Sequence, residues 1–158
     1  MLTHDIEPTS GSALISGFDV LSEYKQMSSL VGYCPQFDPL LDKLTGKEHL
    51  RLFGRLKGIP EEKLEKACDQ LLLHTGMKRW GDNLTETYSG GTKRKLSLAI
   101  ALIGCPEVVF LDEPSSGMDP VARRYMWNVI KFETFLIFLN IIVFINQIGP
   151  LQKQRAFL

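Results

Sequence analysis

Residues 108–114 read Val-Val-Phe-Leu-Asp-Glu-Pro, and this stretch decides the fold. Its unbroken apolar run, 108–111, predicts a strand that is buried on both faces of a parallel sheet. Such a strand presents its last side chains at the carboxyl edge of the sheet, where ligands bind in open α/β folds. There Asp112 is suited to hold Mg2+, and Glu113 to polarise a water for attack on a phosphoryl group. A core strand followed by a polar turn is the alternative interpretation of this heptapeptide.

The sequence on both sides of this strand predicts alternating strands and helices. Residues 13–20 and 30–33 predict short strands, and a capping box of Thr45 and Glu48 predicts the start of a helix. Three more helices are predicted to begin at Pro60, at Ser89 and at Asp119-Pro120, the last running to about Ile130. This alternation indicates an α/β fold, with an inserted helical subdomain at about residues 40–105.

The helix that Ser89 caps begins with Gly90 and Gly91, whose backbone N–H groups form an anion site by geometry and dipole. The basic run 93–95, Lys-Arg-Lys, adds positive charge nearby. The inner face of this helix is predicted from its apolar spacing: Leu96, Ala99, Ile100 and Ile103. An ordinary helix cap followed by a solvated basic face is the alternative.

Two further polar residues are candidates for the same site. Gln36 follows a predicted strand end and would place an amide at the same sheet edge, although a surface glutamine in a turn is the simpler interpretation. Asp119 precedes Pro120 and is expected to cap the helix that begins there, with or without a function.

The composition excludes one class of partner. The 158 residues carry 18 Lys and Arg against 18 Asp and Glu, whereas a broad electrostatic nucleic-acid binder normally has a basic excess.

Three widely spaced cysteines suit reduced thiols. The N-terminus lacks the pattern of a signal peptide. The apolar stretch 135–148 is shorter than the roughly 20 residues of a spanning helix, so we expect no transmembrane span.

In this order and spacing, the motifs resemble the nucleotide-binding cassette of an ABC transporter. Gln36 lies at the Q-loop, residues 89–91 at the signature sequence, 108–113 at Walker B with its catalytic glutamate, and 115–119 at the D-loop. The sequences YSGGTKRKLSLAIALIG and VVFLDEPSSGMDPVARRYMW are most similar to subfamily A, the lipid-exporting full transporters, and to their second cassette. The resemblance covers residues 1–130 and implies an incomplete P-loop NTPase-type cassette with a mostly parallel sheet.

The resemblance also implies roles for individual residues. Gln36 and Asp112 would serve the Mg2+ of the chain's own ATP, and Glu113 would polarise the attacking water. Ser89, Gly90 and Gly91 would contact the γ-phosphate of an ATP bound on a second cassette, and Asp119 would communicate between the two cassettes. The implied cofactors are ATP and Mg2+. The implied partners are a second cassette and transmembrane domains, which would place the chain at the cytoplasmic face of a membrane, or in the cytosol when isolated.

The sequence departs from the family pattern at both ends. Walker A needs G-x-x-x-x-G-K-[ST], but the one Gly-Lys pair, at 46–47, is followed by Glu48, so we expect the chain to begin just after that motif. His4, His49 and His74 all precede Walker B, so none can be the switch histidine.

Residues 131–158 form an apolar tail that does not align to the family. Its stretch 135–145, FLIFLNIIVFI, is either a strand in the vacant sheet position or an aggregation-prone segment. We expect the isolated chain to lack ATP turnover. The alternatives are a non-catalytic module that docks on an intact cassette, and a truncated gene product without independent function.

Overall fold

The computed structural model describes residues 11–136 and 141–145, with side chains as far as residue 131. Its strands are β1 (Leu14–Ile15), β2 (Phe18–Asp19), β3 (Val31–Cys34), β4 (Val108–Asp112) and β5 (Ile141–Ile145). Its α-helices are α1 (Tyr24–Leu30), α2 (Gly46–Leu56), α3 (Glu61–His74), α4 (Gly90–Leu102) and α5 (Pro120–Leu136). The predicted α/β architecture is therefore confirmed.

The centre of the fold is a three-stranded parallel sheet in the order β3-β4-β5. The apolar run of β4 is buried along its length, as the sequence predicted for a central parallel strand. Cys34 at the end of β3 pairs with Leu111 of β4, and Asp112 pairs with Ile145 of β5. Because all three strands run the same way, their carboxyl ends meet at one edge. Within the stretch 135–145, residues 141–145 thus occupy a sheet position, one of its two alternatives, while residues 135–136 belong to α5.

The prediction of one strand over residues 13–20 is wrong in detail. The segment is a tight antiparallel hairpin of β1 and β2. Its two turn residues, Ser16 and Gly17, have φ angles of 49° and 84°. Positive φ at both central positions is the geometry that matches the twist of a two-residue hairpin.

Helix α5 runs to Leu136, beyond the predicted end near Ile130. That expectation came from a change in composition, and the sequence between these two residues contains no glycine or proline to end a helix. The division of the chain into 1–130 and 131–158 stays a prediction, as does a separate helical subdomain at 40–105.

Local sequence signals account for how α2 and α4 begin. Thr45 accepts a hydrogen bond from the Glu48 N–H (3.2 Å), and the Glu48 carboxylate accepts one from the Thr45 N–H (2.7 Å). This confirms the capping box of α2. Ser89 caps α4 by accepting from the Thr92 N–H (3.2 Å). Both caps satisfy amide donors that the first helical turn leaves unpaired.

Helix α4 lies directly on the sheet. An alanine Cβ built at Gly32 of β3 would stand 2.0 Å from the carbonyl oxygen of Ala101 on α4. The glycine is thus what lets the helix backbone approach β3 so closely. The predicted inner face of α4 is buried, with Leu96 and Ala99 fully inaccessible. Helix α4 and the sheet are in this way held in one packed unit.

None of the helices in the described part of the chain is long and apolar enough to cross a membrane. The apolar stretch 135–148 falls partly on residues 137–140 and 146–148, which lie outside the described residues.

Candidate functional site

Two of the predicted site residues meet at the carboxyl edge of the sheet. Gln36 follows the end of β3, and Glu113 comes directly after β4. The Gln36 side-chain amide donates a hydrogen bond to the Glu113 carboxylate, with 3.3 Å between Nε2 and Oε2. Gln36 is exposed and Glu113 is half-buried. The contact brings an amide and a carboxylate that are far apart in the sequence to one accessible point.

The backbone at Glu113 is strained. Its φ angle is 43°, in the left-handed region that costs a residue with a Cβ about 1–2 kcal/mol. Non-glycine residues in this region are concentrated at sites where a fixed side-chain direction matters. Here the sharp turn follows β4 immediately and faces the Glu113 carboxylate toward Gln36. The strain singles out Glu113 among the residues of this edge.

Asp112 is the last residue of β4 and is half-buried. With Glu113 and the amide of Gln36, it gives this edge two carboxylates and an amide, all hard oxygen donors. Among the described residues no group of three or more His, Cys, Asp or Glu could hold a metal ion by itself. Mg2+ is usually held by one or two carboxylates together with waters and substrate phosphates. The donors at this edge therefore fit a magnesium ion that arrives with a phosphorylated substrate.

The first turn of α4 is open to a ligand. Ser89 and Gly90 are exposed, and an added Cβ at Gly90 or at Gly91 would meet nothing within 4 Å. The Ser89 hydroxyl also lies 2.8 Å from the Thr92 hydroxyl. The N-terminus of a helix attracts anions through its free N–H groups and dipole. The three predicted signature residues are thus accessible at such an end.

The interpretation of residues 93–95 as a solvated basic face is wrong for Arg94. Arg94 is buried, with 3% of its surface exposed, and it donates hydrogen bonds to the loops that follow β3 and β4. Lys93 lies 3.5 Å from the Asp42 carboxylate, and the Lys95 ammonium lies 4.5 Å from the Tyr125 ring centroid. Burial lowers the pKa of Lys95. These side chains anchor α4 to its surroundings.

Arg94 was missed as a site residue, although the sequence contains a signal for it. Leu98 and Ala101 follow it at i+4 and i+7, and both are buried. That spacing defines a second apolar stripe on α4 with Arg94 at its start. The prediction considered only the face of α4 that contains Leu96 and Ala99. The helix is buried on a second face as well, which begins with Arg94.

Asp119 caps α5, as predicted. Its carboxylate accepts hydrogen bonds from the N–H groups of Val121 (2.9 Å) and Ala122 (3.0 Å). The bond from Ala122 is the largest cause that lowers the Asp119 pKa. Its described hydrogen bonds lie within its own helix turn, so the structure does not join Asp119 to Gln36 and Glu113.

The Gly46-Lys47 pair has a structural role in α2. A Cβ at Gly46 would stand 2.4 Å from the Tyr88 hydroxyl, so the glycine makes room for that side chain. The Lys47 ammonium pairs with Glu65 (3.2 Å) and Asp69 (2.7 Å) on α3. This lysine is therefore engaged between two helices, consistent with its failure to match a phosphate-binding loop.

Comparisons with known proteins find relatives of this chain. A family profile described as "ABC transporter" matches residues 1–116. The human retinal-specific phospholipid-transporting ATPase ABCA4 is 52% identical over 130 residues, which are 82% of this chain and 6% of that protein. The mouse ATP-binding cassette sub-family A member 7 is 49% identical over 128 residues, which are 81% of this chain and 6% of that protein.

The fold is also that of a solved structure. A protein described as the ATP-binding subunit of an ABC transporter superimposes with a TM-score of 0.73 at 25% identity, over 85% of this chain and 56% of that one. The chain thus spans a small part of the curated relatives that it matches, and about half of this solved chain.

Proposed function

The chain belongs to the ABC transporter family, and from this premise we propose that it supplies two parts of an ATP-hydrolysing assembly of two cassettes. One part is the sheet edge with Gln36, Asp112 and Glu113, which acts on a nucleotide bound to its own cassette. The other is the start of α4, residues 89–91, which contacts a nucleotide bound to a second cassette. The observation that carries this proposal is the hydrogen bond from Gln36 to Glu113 at the carboxyl edge of the sheet.

At the sheet edge, Glu113 acts on the attacking water. Its carboxylate accepts a proton of that water and orients the oxygen toward the γ-phosphorus, as a general base does in phosphoryl transfer. Asp112 and Gln36 hold the magnesium ion, which when bound supplies positive charge against the phosphate oxygens. The bond from water to phosphorus forms as the bond between the γ-phosphorus and the bridging oxygen breaks, giving ADP and phosphate.

At the start of α4, the chain acts on its partner's ATP. The N–H groups of Gly90 and Gly91 and the Ser89 hydroxyl donate to the γ-phosphate, where negative charge is concentrated. The open space around both glycines supports this role, because a phosphate can approach the backbone closely.

A complementation assay tests this role. It uses an intact ABC cassette whose own signature glycines are replaced, so that it hydrolyses ATP only when another chain supplies that sequence. We expect the present chain to restore hydrolysis and its Gly90→Asp variant to restore at least tenfold less, since a carboxylate there repels the phosphate. The aspartate fits the open space and suits a helix N-terminus, so the fold is preserved.

Asn83→Asp is the matched control for this assay. It adds the same charge at an exposed position outside α4 and should restore hydrolysis as well as the unmodified chain does. Failure of the unmodified chain to restore hydrolysis, or equal restoration by Gly90→Asp, would show that residues 89–91 do not serve a partner's nucleotide.

A second candidate function is a docking module without catalysis of its own. The exposed start of α4 favours it, because that surface is available whether or not the chain binds ATP itself. Glu113→Gln separates the two candidates. In a pure docking module this change leaves the restored rate unaltered, whereas a Glu113 that acts in catalysis makes the restored rate fall. ATP hydrolysis by the purified chain that Glu113→Gln abolishes would establish catalysis and rule out docking alone.

We propose further that the parent protein transports phospholipid and that this domain lies at the cytoplasmic face of its membrane. The support is the subfamily: the human relative ABCA4 bears the name of a phospholipid-transporting ATPase. ATP-dependent movement of labelled phospholipid by the parent protein in vesicles would support the assignment. A parent protein that moves a water-soluble solute and no lipid would overturn it.

A further inference from the structure

The guanidinium of Arg94 is the most heavily engaged polar group at the site. It is buried, and it donates to six oxygen atoms at the end of β4 and in the loops that follow β3 and β4. At the end of β4 the acceptor is the carbonyl of Asp112 (2.6 Å), and in the loop after β4 they are the carbonyls of Glu113 (3.0 Å) and Pro114 (2.9 Å). After β3 they are the carbonyls of Pro35 and Gln36 (3.3 Å) and the carboxylate of Asp38 (3.1 Å).

The two loops are those that carry the proposed catalytic side chains. Gln36 and Glu113 both present their backbone carbonyls to Arg94, while their side chains bond to each other on the accessible side. Arg94 itself lies one turn after Gly90 on α4. A single planar group therefore joins the start of α4 to both strand ends.

Fold stability alone does not account for this arrangement. A charge taken out of water loses hydration that its partners only partly return, so buried ionic groups are weak stabilisers. Asp38 is the only carboxylate among the six acceptors, and the other five are backbone carbonyls at or just after the ends of β3 and β4. The rigid fork of five N–H donors is instead suited to fixing several acceptors in one geometry.

We propose that Arg94 is a positioning residue that locks the loops after β3 and β4 to the start of α4. Gln36, Glu113 and residues 89–91 then move as one unit, so a nucleotide on the partner side affects the chain's own sheet edge. The meaning of this coupling for ATP hydrolysis rests on the proposed function, while the lock itself does not.

Hydrogen exchange of the purified full chain without nucleotide tests the lock. Two amides report on the loops: Leu40 N–H donates to the Asp38 carbonyl, and Ser116 N–H donates to the Glu113 carbonyl. In Arg94→Lys we expect both to exchange at least tenfold faster, while amides within α2 and α3 change less than twofold. Lysine keeps the positive charge but lacks the planar fork of N–H donors, so it cannot hold both loops in place.

Lys93→Ala is the matched control. It removes a cation from the neighbouring position, whose contact is a 3.5 Å approach to Asp42. Both reporting amides should stay within twofold of the unmodified chain. The proposal would be overturned if amide exchange in Arg94→Lys rose equally in all helices, rose in one loop only, or did not rise at all.

A milder variant covers the case in which Arg94→Lys does not fold. Asp38→Ala removes the only carboxylate acceptor of the guanidinium from the loop after β3. If Arg94 connects the loops, exchange at the distant Ser116 amide rises at least threefold; a change confined to Leu40 would contradict the connection. Since no nucleotide is present, this result is independent of the complementation assay, and either proposal can fail alone.

Discussion

Replacing Gly32 with alanine is expected to destabilise the fold by forcing β3 away from α4. The added methyl carbon would stand 2.0 Å from the Ala101 carbonyl oxygen, 3.0 Å from the Ala101 carbonyl carbon and 3.1 Å from Pro106 Cγ. Two of these three atoms belong to the helix backbone, so no side-chain rotation removes the clash. The strand or the helix has to shift by more than an ångström.

The structure sets the size of the effect. Overpacking a well-packed core costs about 1–3 kcal/mol, and a clash with rigid backbone belongs at the upper end, so we expect a loss of about 3 kcal/mol. For a chain of this length each kcal/mol lowers the melting temperature by about 2–4 °C, which gives a fall of about 6–12 °C. The Q-loop follows β3, so the shift also breaks the contact of Gln36 with Glu113.

Urea denaturation followed by far-UV circular dichroism measures the free energy of unfolding. Two control variants calibrate it. Gly90→Ala meets open space and should be neutral or slightly stabilising, and Gly54→Ala meets the flexible end of Leu64 at 2.4 Å and should lie between the two. A Gly32→Ala chain within 1 kcal/mol of the unmodified one would refute the close packing of β3 on α4.

Three further predictions concern local contacts. Thr45→Ala should cost about 1 kcal/mol by removing the capping box of α2, and Thr45→Ser should restore most of it, as read from the same urea transitions. Hydrogen bonds from backbone N–H groups, Ala122 first, lower the Asp119 pKa from its usual 3.8. Its charged form therefore stabilises the fold above about pH 3.8, and the stability difference from Asp119→Asn should shrink as pH falls from 3.8 through the lowered pKa; a difference that does not change with pH below 3.8 would contradict this account. Burial raises the pKa of the Cys34 thiol to about 11. Iodoacetamide at pH 8 should therefore label the exposed Cys105 and spare Cys34 in the folded chain, which mass spectrometry of the labelled peptides would check.

The sequence was sufficient wherever a feature depends on neighbouring residues or on a simple packing rule. The capping box at Thr45 and Glu48 is a local pattern, and it is present with both of its hydrogen bonds. The run at 108–111 identified a central parallel strand because such strands are apolar on both faces. From that followed the expectation that Gln36 would lie at the same sheet edge as the acidic pair.

The features that sequence reasoning missed depend on distant parts of the chain. Nothing in the sequence around Arg94 indicates that it donates to backbone carbonyls at the ends of two separate strands. The positive φ of Ser16 and that of Glu113 are imposed by the hairpin and by the turn after β4. At Ser16 and Glu113 tertiary geometry overrides the ordinary backbone preference of the residue, so composition and periodicity carry no signal for it. For Arg94 the periodicity of α4 indicates burial but not which atoms accept its hydrogen bonds.

The most direct test of the central claim is the ATP dependence of association between this chain and an intact ABC cassette that binds ATP without hydrolysing it. If residues 89–91 contact the partner's γ-phosphate, the complex forms with ATP, weakens at least tenfold with ADP, and is lost with ATP in the Gly90→Asp variant. A dissociation constant that is the same with ATP, with ADP and without nucleotide would contradict the claim that this chain completes a partner's ATP site.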